Sequence, residues 1–348
     1  MTSVAGTTLQ STDSLTVLKP PVSGILLVSH LAVLGLATIL DAYGDETVRV
    51  GHDSASLTFE PYLATALPRS EVRAFFEAAI ADIEAVLEHD REAKSRGERK
   101  PTIRARDTYG GDPDRAREAV LVRHRLVRGL LEQDGPGARL ATALCEGLGS
   151  PVTWLPQERG AKFDPSVGAT AFDGAVINKS TDLVRKVFRE LRVKALAADL
   201  WESGRSEHGA EAPWAPPNSP SDVTAEFLAG IGLAALPVAQ RSRGVSLTPA
   251  IVRADVSRRP DAAVFPILGR PVTIARLRAL LMSSDLAVVA RELSFALNGQ
   301  NRSRENLAAR KRLRALGVTE LVLFPVRNLS TKQMVKFHFE TGIRVDLG

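Results

Sequence analysis

Two histidine–aspartate doublets, His52–Asp53 and His89–Asp90, and a run of cations from Arg304 to Arg314 are the residues whose types and spacing suggest chemistry. An imidazole beside a carboxylate can hold a divalent cation and position water, but a metal site needs several ligands converging on one point. His89 falls at the charged end of a predicted helix and His52 in a predicted hairpin loop. His30, His124, His208 and His338 stand at no ligand spacing from either, and the single cysteine, Cys145, has no second thiol to join it. Solvated or capping roles are therefore expected for these histidines, with no metal and no cofactor. No GxxxxGK[ST] phosphate loop and no GxSxG nucleophile elbow occurs. Gly230, Gly232 and Ala235 match GxGxxA, but inside a predicted helix rather than after a strand, so close helix packing is expected there instead of a pyrophosphate turn. No catalytic constellation emerges, and the chain is expected not to be an enzyme.

The cations suggest polyanion contact. In the predicted helix Arg304 to Leu316, Ser303 is a suitable N-cap and Ala309, Leu313 and Leu316 recur at inward spacing. Arg310, Lys311, Arg312 and Arg314 are expected on the other faces, and Gly317 stops the helix. Four cations in so few turns repel one another unless something neutralises them. Just before lies Asn298-Gly299-Gln300-Asn301-Arg302, a polar loop whose amides suit adenine edges and whose arginine suits guanine. An ordinary turn followed by a solvated helix is the competing reading. A second basic cluster, Arg96, Arg99, Lys100, Arg104 and Arg106, is interrupted by Gly97 and Pro101 and reads as an exposed loop able to meet phosphates. The candidate nucleic-acid contacts are thus Asn298, Gln300, Asn301, Arg302, Arg304, Arg310, Lys311 and Arg314, with Arg99, Lys100, Arg104 and Arg106. Aromatic residues make up only 5% of the chain, which disfavours a stacking platform for single strands and favours duplex or backbone contact.

The elements that must hold these residues alternate between helix and short strand. A polar tail over residues 1–20 is expected to be disordered. Ser23 to Leu40 reads as a buried strand and helix; it is broken by Ser29 and His30 and followed by Asp41, Asp45 and Glu46, so it spans a membrane poorly. Thr47 to Val50 and Leu57 to Phe59 alternate as a hairpin. Pro68 and Ser70 open a long helix with Val72, Phe75, Phe76, Ala79 and Ile83 at helical spacing, which dissolves into the charged run Glu88 to Lys100 and stops at Pro101. Further helices carry the first unit to residue 150. Residues 151–217 form a loop-rich middle with a helix from Thr181 to Trp201 and a Gly-, Ser- and Pro-rich linker. The last unit, residues 218–348, begins with a helix from Asp222 to Leu236. It continues with strands at Val245 to Val256 and Ala262 to Leu268, a helix from Thr273 to Met282, the basic helix, and strands at Glu320 to Val326 and Met334 to Phe339. The expected class is α+β, several units of helices and short antiparallel sheets. AVLGLATIL at Ala32 to Leu40 echoes AGIGLAALP at Ala229 to Pro237, sharing Gly-Leu-Ala. Related halves would produce this, but two Ala-, Leu- and Gly-rich helices also match this well by chance, which is the favoured reading.

Charge is segregated along the chain. From Arg241 to Gly348 there are 19 Lys and Arg against 8 Asp and Glu, whereas the preceding residues hold 26 against 32. A net charge of +5 hides this division, and a basic end is the usual footprint of a phosphate-bearing partner, although solvated arginine-rich faces would look the same. At 348 residues and 44% hydrophobic content the chain can bury a sizeable core. With one cysteine it forms no internal disulfide, and a cytoplasmic location is expected.

Three segments carry a resemblance. LVSHLAVLGLATILDAYG with its hairpin, LGSPVTWLPQERG followed by VGATAFDG, and PSDVTAEFLAGIGLAALPV resemble the small large-subunit family of type I-U (I-G) CRISPR interference complexes, over roughly residues 25–345. The resemblance implies a non-catalytic subunit of a guide-RNA surveillance complex that contacts the motif flanking the target, helps open duplex DNA and docks a helicase-nuclease. The implied partners are guide RNA, target DNA and the other complex subunits. Such large subunits often end in a helical bundle, whereas the last hundred residues here read as mixed strand and helix; a separate small subunit would then supply the bundle. The rival classes are a metal-independent CRISPR ribonuclease using a lone histidine such as His30 or His52, and a DNA-binding regulator. The latter needs a partner helix ahead of Arg304 to Leu316, and none stands at the right spacing.

Overall fold

A computed structural model of the chain describes residues 15–20, 23–53, 55–95, 239–241, 244–246, 251–252, 262–297, 306–328 and 337–348, together with residues 132, 135, 225, 228, 229, 231, 232 and 236. The fold is α+β, with helices packed on short antiparallel sheets.

Helix α1 (Leu27–Ala42) organises the first part. Its sequence is apolar around the whole circumference and thirteen of its sixteen residues are buried, the behaviour of a helix enclosed on all sides. It lies against a three-stranded antiparallel sheet of β1 (Thr16–Leu18), β3 (Pro61–Thr65) and β2 (Arg49–His52), with β3 in the centre. The residues before position 20 therefore do not all belong to a disordered tail. Thr16, Val17 and Leu18 are suited to a pleated edge, and they pair with Thr65, Ala64 and Leu63 while Leu18 is buried. The expected hairpin forms, but its second strand starts at Pro61 rather than Leu57. Phe59 adopts a left-handed φ of 53° that turns the chain, and Leu57 points into solvent. Helix α2 (Arg69–Ser95) follows Pro68 and buries Val72, Phe76, Ala79 and Ile80.

The C-terminal part is built on a second antiparallel sheet. Strand β7 (Ala262–Leu268) is buried along its whole length and lies between β6 (Ile251–Val252) and β8 (Val318–Asn328). On the far edge of β8 run β9 (Phe337–Phe339) and β10 (Ile343–Asp346). A two-stranded ribbon of β4 (Ala239–Arg241) and β5 (Gly244–Ser246) precedes them. Three helices pack nearby: α3 (Ile274–Leu281), α4 (Ser284–Leu297) and α5 (Leu307–Ala315). The reading of the sequence placed α3 and β7 and overlooked α4. Its signal is nevertheless present: the Ser283 hydroxyl caps the helix by accepting from the Leu286 N–H at 3.1 Å, and Leu286, Val289 and Ala290 form its buried stripe.

The buried apolar residues, from Leu18 to Leu347, form one continuous core. Two ties cross between the sheets: Val50 and Val272 exchange backbone hydrogen bonds of 2.8 Å, and the Leu268 N–H reaches His52.

Candidate nucleic-acid interface

Helix α5 carries the cations singled out in the sequence, and it starts later than expected. Its N-cap is Asn306, whose side-chain oxygen accepts from the Ala309 N–H at 3.0 Å; Arg304 lies outside the described residues. Ala309 and Leu313 face the core as anticipated. Arg310 does not emerge. It is only 8% exposed, its guanidinium lies 3.5 Å from the Glu292 carboxylate of α4, and it donates to the Asp346 carbonyl at 3.0 Å. Glu292 in turn accepts from the Asn306 N–H at 3.1 Å. Arg310 is a buried clasp joining α4, α5 and the β10 end of the chain, and it is removed from the candidate phosphate contacts. A second member of the basic run is also neutralised. Arg312 makes a two-pronged pair with Asp285, at 3.0 and 2.7 Å, and its hydrogen bonds hold the Asp285 carboxyl below the usual range. The crowding of four like charges is thus relieved half from within.

Lys311 and Arg314, one turn apart and exposed, form no ion pair or side-chain hydrogen bond among the described residues. They stand beside the C-terminal end of α5, where Gly317 turns with φ 92°. Two further arginines reach that end from other segments. Arg276 of α3 donates to the Leu316 carbonyl at 3.3 Å, and the Gly269 N–H donates to the Gly317 carbonyl at 3.1 Å, which brings exposed Arg270 alongside. The unpaired carbonyls at a helix C-terminus carry partial negative charge and steady cations nearby. Like charges three residues apart on an exposed helix face repel by only about 0.2–0.5 kcal/mol, which the partial negative charge of the helix end can offset. Arg270, Arg276, Lys311 and Arg314 therefore make a basic surface to which no carboxylate is paired among the described residues. Its first two members escaped the reading of the sequence because they lie outside the run; the signal was a spacing of three-dimensional neighbours, not of residues along the chain.

Arg99, Lys100, Arg104, Arg106, Asn298, Gln300, Asn301 and Arg302 lie outside the described residues, as do Cys145, His124, His208 and the expected middle unit. The histidine expectations change. His52 is neither solvated nor a cap, and its apparent partner Asp53 faces the other way, onto Lys19 at 2.7 Å. His52 instead meets His30 in the core, with ring atoms 3.3 Å apart, between Phe265 and Phe324. The proton order follows from the two fixed ends. The Leu268 N–H donates to His52 Nδ1, so His52 Nε2–H donates to His30 Nδ1, and His30 Nε2–H donates to the Gly24 carbonyl at 2.8 Å. Burial drives the His30 pKa down to about 4 and that of His52 well below its ordinary value. Exposed by 2% and 7%, both neutral rings spend their hydrogen bonds within the fold and neither can reach a substrate. Among the described residues, no group of three or more His, Cys, Asp or Glu could hold a metal ion, and no helix is long and apolar enough to cross a membrane.

No family model matches the chain, and no curated protein matches it at a significant level.

Proposed function

We propose that the chain is a non-catalytic nucleic-acid-binding subunit of a CRISPR guide-RNA surveillance complex, working in the cytoplasm beside guide RNA, target DNA, the other complex subunits and a helicase-nuclease. The observation that carries the nucleic-acid part is the surface of Arg270, Arg276, Lys311 and Arg314: three segments bring four cations to one helix end, with no carboxylate paired to them among the described residues. Such a surface meets phosphates as point charges and forks, positioning a strand without reading its bases. The complex itself rests on the resemblance of the three quoted segments, and duplex opening and flanking-motif contact come with it.

Two measurements test the two parts separately. Phosphate contact predicts that changing Arg270, Arg276, Lys311 and Arg314 together to Gln flattens the slope of log affinity against log salt on duplex DNA by up to about 3.6, at about 0.9 per contact. An unchanged slope would show that these cations are merely solvated. Purification of the tagged chain from its own cells should bring a guide RNA of uniform length and several partner subunits; a chain that elutes alone overturns the complex while leaving the salt result standing.

A further inference from the structure

Helix α1 and the helical residues Leu228, Ala229, Ile231 and Gly232 touch backbone to backbone through two glycines. A Cβ added to Gly35 would strike the Leu228 carbonyl oxygen, and one added to Gly232 would strike the Leu31 carbonyl oxygen. The remaining contacts mirror each other too: the Gly35 Cβ would lie 3.1 Å from the Gly232 nitrogen, and the Gly232 Cβ 3.1 Å from the Gly35 nitrogen. Residue 31 meets 232 and residue 35 meets 228. That reciprocity is the mark of a two-fold contact between like surfaces, in which i touches j and j touches i.

The contact pairs define an equivalence, 31 with 228 and 35 with 232. The same equivalence aligns the sequences, Leu-Ala-Val-Leu-Gly-Leu-Ala from Leu31 against Leu-Ala-Gly-Ile-Gly-Leu-Ala from Leu228. A chance similarity between two small-residue helices has no reason to fall in the register of their physical contact. Burial agrees as well: Leu31, Ala32, Leu34, Gly35 and Ile39 are buried, and so are Leu228, Ala229, Ile231, Gly232 and Leu236. The elements after each helix are also alike. After α1 come antiparallel β2 and β3, then α2 just beyond Pro68; after the second helix comes the β4–β5 ribbon, an addition with no counterpart after α1, and then antiparallel β6 and β7 and α3 just beyond Pro271. In each case the second strand of the pair lies inside its sheet, flanked on its other edge by β1 or β8.

We infer that the chain contains two copies of one helix–hairpin–helix unit, packed on each other about a local two-fold axis between Gly35 and Gly232. The echo that reads as chance in the sequence is thus the axis of the molecule. The copies differ in what surrounds them. Helices α4 and α5, with Lys311 and Arg314, come after the second unit and have no counterpart among the described residues after the first, so part of the basic surface was added to a duplicated frame. The inference does not depend on the proposed function.

A double-mutant cycle in the full chain tests it. Gly35→Ala and Gly232→Ala should each lower the thermal midpoint by comparable amounts, since each methyl is driven into the equivalent carbonyl. The double variant should lose less than the sum of the two, because the first methyl has already separated the helices that the second would part. One glycine tolerating alanine while the other does not, or simple additivity, would overturn the two-fold contact. Should either glycine variant fail to fold, the exchange of Leu34→Ile with Ile231→Leu supplies the reading: equivalent positions accept each other's residue with the midpoint nearly unchanged, and a loss as large as that of a Leu34→Ala variant overturns the equivalence.

Discussion

The two ends of the core bury polar groups in opposite ways. Beside α1, the relay from Leu268 through His52 and His30 to Gly24 is neutral, and every ring nitrogen has a partner. Between α4 and α5, Arg310 and Glu292 are buried as an ion pair. A neutral relay closes without taking a charge out of water, so its weakness is the proton that would charge it. A buried pair has already borne the desolvation of both ions, so its weakness is the loss of either partner. The same core therefore has one acid-sensitive end and one end sensitive to truncation.

The ion-pair end should show the largest effect. Arg310→Ala leaves Glu292 buried and unanswered, and removing one partner of such a pair costs about 3 to 5 kcal/mol. Chemical denaturation should register that loss, while the salt slope of DNA binding by the folded fraction stays as in the parent. Arg310→Met combined with Glu292→Leu should recover much of the stability, because the second desolvated charge is then gone. If Arg310→Ala instead flattened the salt slope at unchanged stability, Arg310 would be a phosphate contact after all and the contrast between the two ends would collapse.

The relay end makes a pH prediction of definite sign. His30 and His52 have folded pKa values below the ordinary 6.5, so between the folded and unfolded values the unfolded chain binds more protons. Their contribution is present above pH 6.5 and is lost as pH falls below it, that of His30 by about pH 4. For His30, a pKa near 4 corresponds to roughly 3 kcal/mol over that window. Denaturation midpoints measured across pH 4 to 8 should fall on the acid side, and His52→Leu should make the fall shallower, its removal leaving one fewer ring to charge. A parent whose stability is level over this range would show that the rings are protonated in the fold or open to water.

How much of this was legible depended on whether a signal was local. Helix α3 follows from a Thr273 cap and inward Ile274, Leu277 and Leu281, all within one segment, and β7 from an unbroken apolar run. Arg310 reads as a surface cation by residue type, whereas its angle on the helix puts it at the core. It sits beside Ala309 on the shoulder of the buried stripe, and its partner Glu292 is 18 residues away on another helix. The histidine relay joins residues 22 and 216 positions apart, a separation that no spacing rule spans. The same holds for Arg270 and Arg276, which enter the basic surface only because β7 and α3 fold back to the end of α5. The Gly-Leu-Ala echo was visible from the start, but only the reciprocal contact distinguishes it from composition.

The smallest expected effect probes the border between the clasped and the free cations of α5. Arg312 is solvent-exposed and Asp285 partly covered, so their two-pronged pair is screened on one side and Asp285→Asn should lower stability by about 1 kcal/mol or less, well short of the loss at Arg310. Its consequence lies elsewhere. Loss of the carboxylate frees a guanidinium next to Lys311 on the same helix, and one added phosphate contact would steepen the salt slope by up to about 0.9. The helix sets the limit: Arg312 is drawn onto Asp285 of α4, so its long, flexible side chain has to swing away from α4 to join the exposed Lys311 and Arg314. A steeper slope would mean that Asp285 restrains the basic surface as well as bracing α4 against α5. An unchanged slope would confine Arg312 to its structural side, and a flatter one would show that binding at this surface is not governed by its positive charge.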